Sequence, residues 1–258
     1  MKFENILSRR SFFKMGLGTA GTLAAGHALA QVCGINTGAQ PLGPFFPRPG
    51  TPEDVVREDN NPMTPLHLAN DEDLTLIKGR NGMASGQVVH VVGKVTDKNC
   101  KPIPNATIVI WQASESGRYN HKGDSENHDF RDPRDGKIVK RTLDQHFQSW
   151  GRTTTNQNGD YKFKTIVPGF YPADLQAQWY RPPHIHFMIS ATGFPQLVTQ
   201  MYFRGEKLVE NDWIQELNKK DFLLQDGSLT EEQRNKLVVN FVEQADKNLV
   251  GRFDITLP

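Results

Sequence analysis

Only two of the 258 residues are cysteine, Cys33 and Cys100. One bridge at most is available, so a disulfide scaffold is excluded, and the sequence leaves open whether the two thiols pair. No segment holds the ~20 apolar residues that a spanning helix needs. Neither charge sign is in excess: 30 Lys and Arg against 29 Asp and Glu give a formal net charge of +1. No general attraction to nucleic acid or an anionic membrane follows from that balance. Tyrosine is scarce at five and histidine at eight. Where those few residues gather is therefore informative.

The N-terminus reads as an address. "SRRSFFK" precedes the glycine-rich apolar run "MGLGTAGTLAAG" and then "ALA", which is a basic region, a short apolar region and an A-x-A cleavage site. Arg9 and Arg10 followed by Phe12 and Phe13 resemble a bacterial twin-arginine export signal. Residues 1–30 are expected to be that signal, and residues 31–258 the exported domain in the periplasm or outside the cell.

Within 31–258, residues 31–80 are rich in breakers ("GPFFPRPG", "EDNNP") and predict an irregular arm. From there to 258 the texture is that of short strands. "QVVHVVGKVT", "ATIVIWQA", "YKFKTI", "HIHFMIS", "LVTQMYF" and "RFDITL" are β-branched or alternating runs separated by turn residues. Residues 120–150 are polar and predict a long surface excursion. One helix is expected over "SLTEEQRNKLVVNFVEQADKNL", with Ser228 and Glu231 at capping-box spacing and Leu237, Val238, Phe241 and Val242 as its apolar stripe. The fold class that follows is all-β: a β-sandwich core (81–258) with an irregular N-terminal arm, long loops and one C-terminal helix.

"YRPPHIHF" carries the chemistry. In an extended strand residues two apart share a face, so His184 and His186 project side by side. Paired imidazoles on a strand suit a metal, although polar strand faces also carry histidines with no such role. Tyrosines nearby sharpen the reading, because a phenolate is a hard, charged donor suited to a ferric ion. Two phenolates, two neutral imidazoles and one hydroxide around Fe(III) carry no net charge and can be buried without a large Born penalty.

The segments "GKVTDKNCKPIPNATIVIWQASESGRY", "GRTTTNQNGDYKFKTIVPGFYP", "RPPHIHF" and "VTQMYF" resemble, in the same order, those of the intradiol ring-cleaving dioxygenases. The likeness is greatest to the iron-bearing β subunits of the protocatechuate 3,4-cleaving branch, and it runs from about Gly43 to Leu257. It implies Fe(3+) held by Tyr119, Tyr171, His184 and His186, with Arg181 and Gln200 in the pocket. It also implies a catechol-type aromatic substrate and O2, with ring opening between the two hydroxyl-bearing carbons to a muconate-type diacid. Tyr171 takes the role of a ligand that leaves when substrate binds and accepts a proton, Arg181 that of a fixed cation, and Gln200 that of an orienting group. A homo-oligomer, or pairing with a homologous iron-free subunit, is a further implication.

Two departures lie near where substrate enters. The interval between Tyr119 and Tyr171 is long, and Ala173 stands where protocatechuate enzymes tend to carry an aromatic. Tyr161 and Tyr202 read as core, and Tyr180 as core or surface, with a place lining the pocket as the alternative. His121, His128 and His146 read as solvated, and His67 and His90 have no evident partner. Two other classes stay open: a non-catalytic exported β-sandwich binding module, and a zinc or copper enzyme using His184 and His186, with or without His121.

Overall fold

The computed structural model describes residues 34–47, 69–124 and 129–258, all within one compact unit, Gln31–Pro258. The proposed signal, Cys33, His67 and His128 lie outside the described residues. Among the described residues thirteen strands and two α-helices follow in order. They are β1 (Val88–Asp97), β2 (Thr107–Trp111), β3 (Phe130–Arg131), β4 (Ile138–Val139), β5 (Trp150–Thr154), β6 (Asp160–Ile166), β7 (Tyr171–Asp174) and β8 (Trp179–Arg181). Then come β9 (His184–Ser190), β10 (Leu197–Arg204), α1 (Asn211–Lys220), α2 (Glu231–Leu237), β11 (Val238–Glu243), β12 (Leu249–Arg252) and β13 (Ile255–Leu257). The class is all-β, as the sequence predicts.

Nine of the strands form one curved sheet in the order β13-β1-β12-β11-β10-β9-β2-β5, with β6 also pairing β1. The sheet nearly closes on itself as a barrel-like sandwich. Its open seam lies between β5 and β6, and a segment of the irregular arm fills it. Arg152 N–H donates to Ala69 O (2.9 Å) and Gln148 N–H to Leu74 O (2.9 Å) on one side, while Leu74 N–H donates to Lys164 O (2.8 Å) on the other. Both exposed edges thereby lose the free ladder groups that invite misassociation. Gly151 makes this approach possible, since a Cβ there would lie 2.7 Å from Asp71 O.

Alternation along β9 divides the interior. Ile185, Phe187 and Ile189 enter the main core with Val89, Val91, Ile108, Phe163 and Met201. His184 and His186 point the other way, as period two requires. On that face Trp111, Tyr119, Trp150 and Tyr171 form a second buried cluster, covered by Leu42, Phe45 and Phe46 of the arm.

The C-terminal helix needs correction. Only Glu231–Leu237 is helical, and its cap is Thr230 with Gln233, not Ser228 with Glu231. Val238–Glu243 is instead a strand that pairs with both β10 and β12. The β-branched and aromatic residues there gain more from two ladders than from continuing a helix. A second helix, α1, has no side-chain N-cap and starts after Glu210 in the left-handed region, so it carries no start signal. Among its described residues the polar excursion holds short pieces, β3, β4 and a 3-10 turn at Lys122–Asp124. Cys100, in the turn after β1, is disulfide-bonded.

Candidate metal centre

Four of the sequence-predicted residues meet at one place, and strand geometry explains two of them. His184 opens β9 and His186 follows on the same face. The Tyr119 hydroxyl, from the loop after β2, lies 3.2 Å from His184 Nε2 and 3.1 Å from His186 Nε2. Tyr171, the first residue of β7, presents its ring edge-on to Tyr119 at 5.7 Å and lies 5.9 Å from the His184 ring. All four are at most 6% exposed.

The ring nitrogens are set differently. His184 Nδ1 lies 2.7 Å from Pro182 O, so it carries the proton and donates, leaving the Nε2 lone pair facing Tyr119. His186 Nδ1 is buried and has no hydrogen-bond partner among the described residues. Its ring plane is fixed by stacking on Trp111, at 4.8 Å and 8°. Gly43 backs the same ring, where a Cβ would come within 3.2 Å of His186 Cε1.

Electrostatics keep the cluster uncharged. Burial pushes the Tyr119 phenol well above its usual range, with Tyr171 adding to the effect. Burial also raises Tyr171. Burial, then the charge of Arg181, holds His184 and His186 well below the ordinary imidazole value. Two neutral imidazoles offering lone pairs and two phenols that will not ionise unaided are suited to a hard, highly charged cation, which replaces the phenol protons. The donor set fits ferric iron. Among the described residues no group of three or more His, Cys, Asp and Glu gathers to hold a metal; tyrosine makes up half of the candidate donors here.

Arg181 ends β8 directly opposite Tyr171 in the β7–β8 ladder and is 5% exposed. Its Nη2 donates to Gln200 Oε1 at 2.6 Å, and Gln200 Nε2 donates to Pro41 O at 3.1 Å. Gln200 is the register partner of His186 across β9 and β10, and Tyr202 that of His184. The six predicted residues thus form one neighbourhood.

Several neighbours have no sequence signal. Tyr202 is fully buried, as expected of core, yet its hydroxyl lies 3.3 Å from Arg181 Nη2 and donates to Gln40 Oε1 at 3.1 Å. Asp221, forty residues beyond Arg181, accepts from Arg181 Nε at 2.7 Å. Asp124 accepts the Tyr119 N–H at 2.7 Å and pairs with Arg141 at 3.0 Å, and the Arg141 guanidinium lies 5.6 Å over the Tyr171 ring. Phe45 packs 4.7 Å from Tyr119. His121 is a correction: it is buried beside Phe45, not solvated. His146 is exposed. Tyr161 is core, its hydroxyl donating to Phe253 O, and Tyr180 packs on Phe130 and Phe170.

Comparison with known proteins agrees with this geometry. A family model described as Dioxygenase matches residues 63–257. The chain is 35% identical over 189 residues to a protocatechuate 3,4-dioxygenase beta chain of Burkholderia cepacia, covering 67% of this chain and 75% of that one. The dioxygenase domain of a dioxygenase carbohydrate-binding fusion from Streptomyces sp. SirexAA-E superposes with TM-score 0.51 at 25% identity, covering 86% of this chain and 98% of that one. A 3-chlorocatechol 1,2-dioxygenase from Rhodococcus opacus 1CP shares the fold, with TM-score 0.52 at 21% identity over 86% of this chain and 72% of that one. By family match and identity together, this chain belongs to the intradiol ring-cleaving dioxygenases.

Proposed function

We propose that the chain is a non-haem Fe(III) dioxygenase that opens catechols between their two hydroxyl-bearing carbons, with protocatechuate-like compounds as the substrate class. One observation carries the reading: the Tyr119 hydroxyl sits within 3.2 Å of both the His184 and His186 Nε2 atoms, beside Tyr171. Tyr119, Tyr171, His184 and His186 would hold the iron. When bound, ferric iron would hold the catecholate and draw its ring electrons toward reaction with O2. Both oxygen atoms end in the diacid, so no external reductant is consumed.

The chain's own residues do the rest. Tyr171 Oη would accept one catechol proton. Arg181 stays protonated in a dry pocket and stabilises negative charge that develops on the ring carbon under attack. Gln200 holds the guanidinium from the β10 side. The beta-chain relative supports a carboxylated catechol, while exposed Ala173 on β7 marks where the substrate range of this chain departs. Export through Arg9 and Arg10, and assembly with itself or with an iron-free homologue, belong to the same proposal.

The purified exported protein should be reddish with about one iron per chain, from phenolate-to-Fe(III) charge transfer. It should consume O2 with a panel of catechols without added reductant. Protein that stays colourless after iron reconstitution would end the reading, and zinc or copper in its place would favour the zinc or copper enzyme alternative. A yellow semialdehyde product would place cleavage outside the two hydroxyls. Replacing Arg9 and Arg10 with lysine should stop appearance of the protein in the periplasm; unchanged export would remove the twin-arginine proposal.

A further inference from the structure

We propose that Asp221 is a positioning residue for the reaction: it fixes the plane of the Arg181 guanidinium opposite Tyr171. The inference deepens the dioxygenase reading and rests on it. Asp221 is fully buried, Arg181 is 5% exposed, and the two form an ion pair at 2.7 Å. A guanidinium is a planar fork whose direction is set by the acceptors that engage its edges. Here one edge is claimed completely. Nε donates to Asp221 Oδ2, and Nη2 donates to Gln200 Oε1 at 2.6 Å and Tyr202 Oη at 3.3 Å. With that edge held from α1 and β10, rotation of the side chain toward other acceptors is blocked.

The carboxylate is in turn fixed by its second oxygen. Asp221 closes α1 as its C-cap residue, and Oδ1 accepts the N–H groups of Leu223 at 3.0 Å and Leu224 at 2.8 Å. The two oxygens therefore have separate tasks, the turn after α1 on Oδ1 and the arginine on Oδ2. This division makes α1, which carries no residue of the family motifs, part of the reaction machinery. It also keeps the buried charge balanced: Arg181 faces two imidazoles with its own carboxylate already in place.

The same division provides the test. Asp221→Asn retains an Oδ1 that can cap Leu223 and Leu224 and replaces the arginine acceptor with an NH2 group. Iron content and resting visible absorption should be retained. The value of kcat should fall about 10- to 100-fold with little change in KM, the size of effect that a misplacement of about 1 Å produces. In an Arg181→Ala background the same substitution should have no further effect on kcat. In metal-free protein the thermal midpoint shifts of the two single variants should be non-additive in the double variant. Wild-type kcat in Asp221→Asn, or an equal loss with and without Arg181, would overturn the proposal. If Asp221→Asn does not fold, Asp221→Glu keeps the charge, moves the carboxylate by one methylene and is read against the same outcomes. A wild-type protein without iron colour or turnover would sink the dioxygenase reading instead, and the thermal cycle would still decide whether Asp221 acts on Arg181.

Discussion

Trp111 and His186 are register partners across β2 and β9, and their rings stack nearly parallel at 4.8 Å. Among the described residues His186 Nδ1 has no hydrogen-bond partner, so on the iron reading this contact stands where most metal-binding histidines have a hydrogen bond. Phe46 of the arm closes on the indole edge-on at 4.8 Å, so the stack is held from outside. Trp111→Leu keeps the position apolar and removes the plane against which the imidazole rests. On the iron reading, affinity should fall roughly 10- to 100-fold, the range for lost outer partners of a ligand. Competition with a chelator would measure it, and unchanged affinity would mean that the stack does not orient the ligand.

Asp124 and Arg141 are both buried, with side chains 0% and 1% exposed. The pair joins the polar excursion to the site, since Asp124 also accepts the Tyr119 N–H and Arg141 Nη2 donates to Gly117 O at 2.6 Å. Arg141→Met leaves the buried carboxylate without this cation. Loss of about 3–5 kcal/mol is expected, as for breaking other buried pairs. Urea unfolding of the metal-free protein measures it. A loss under about 1 kcal/mol, the range of surface pairs, would show that the pair is not a structural tie.

Metal-free protein should lose stability on acidification. The folded state holds His184 and His186 neutral, with values well below 6.5 because of burial and then Arg181. Unfolded chains bind those protons below their ordinary value of about 6.5, whereas the folded chain does not. The unfolded state thus carries more protons, and stability rises with pH through that window. The contribution is fully present above about pH 6.5 and is lost as pH falls below it. A thermal midpoint that drops between pH 7 and 5, with a smaller drop in His184→Gln, is the expected result. Equal drops in both proteins would assign the effect to other groups.

What the sequence made legible follows from distance along the chain. Two-residue spacing put His184 and His186 on one face, and the structure keeps them there with no tertiary information needed. Tyr119 and Tyr171 sit fifty-two positions apart, and only the resemblance of "ESGRY" and "PGFYP" linked them to the histidines. Asp221 had no such handle: its role exists because α1 packs beside β8, and α1 lacks a cap signal. Around Val238 the i, i+3, i+4 pattern of apolar residues was real, but β10 and β12 offered that segment two ladders. Local periodicity does not report such partners. His121 was misread for the same reason, since Phe45 of the arm comes from far away to bury it.

Tyr171 and His184 should respond differently to substitution, although both are buried in the same cluster. His184 is fixed at both ends, with Nδ1 on Pro182 O at 2.7 Å and Nε2 against the Tyr119 hydroxyl at 3.2 Å. On the iron reading, a donor so held is suited to stay on the metal throughout turnover, and the outcomes for both variants follow from that reading. Tyr171 begins a short hairpin strand whose next residues are increasingly exposed, and its ring meets Phe45 and Tyr119 edge-on. That placement suits a ligand that leaves. Tyr171→Phe conserves the ring and removes only the hydroxyl, so the protein should keep part of its iron and bind catechol. Deprotonation of the substrate should slow, because the proton acceptor is gone. His184→Ala removes a permanent donor and opens a hole beside Tyr202, so iron should be lost and the colour with it. Iron analysis of both variants after identical purification, with stopped-flow mixing of catechol for Tyr171→Phe, separates the two roles. Equal depletion of iron in both would argue against a Tyr171 that dissociates.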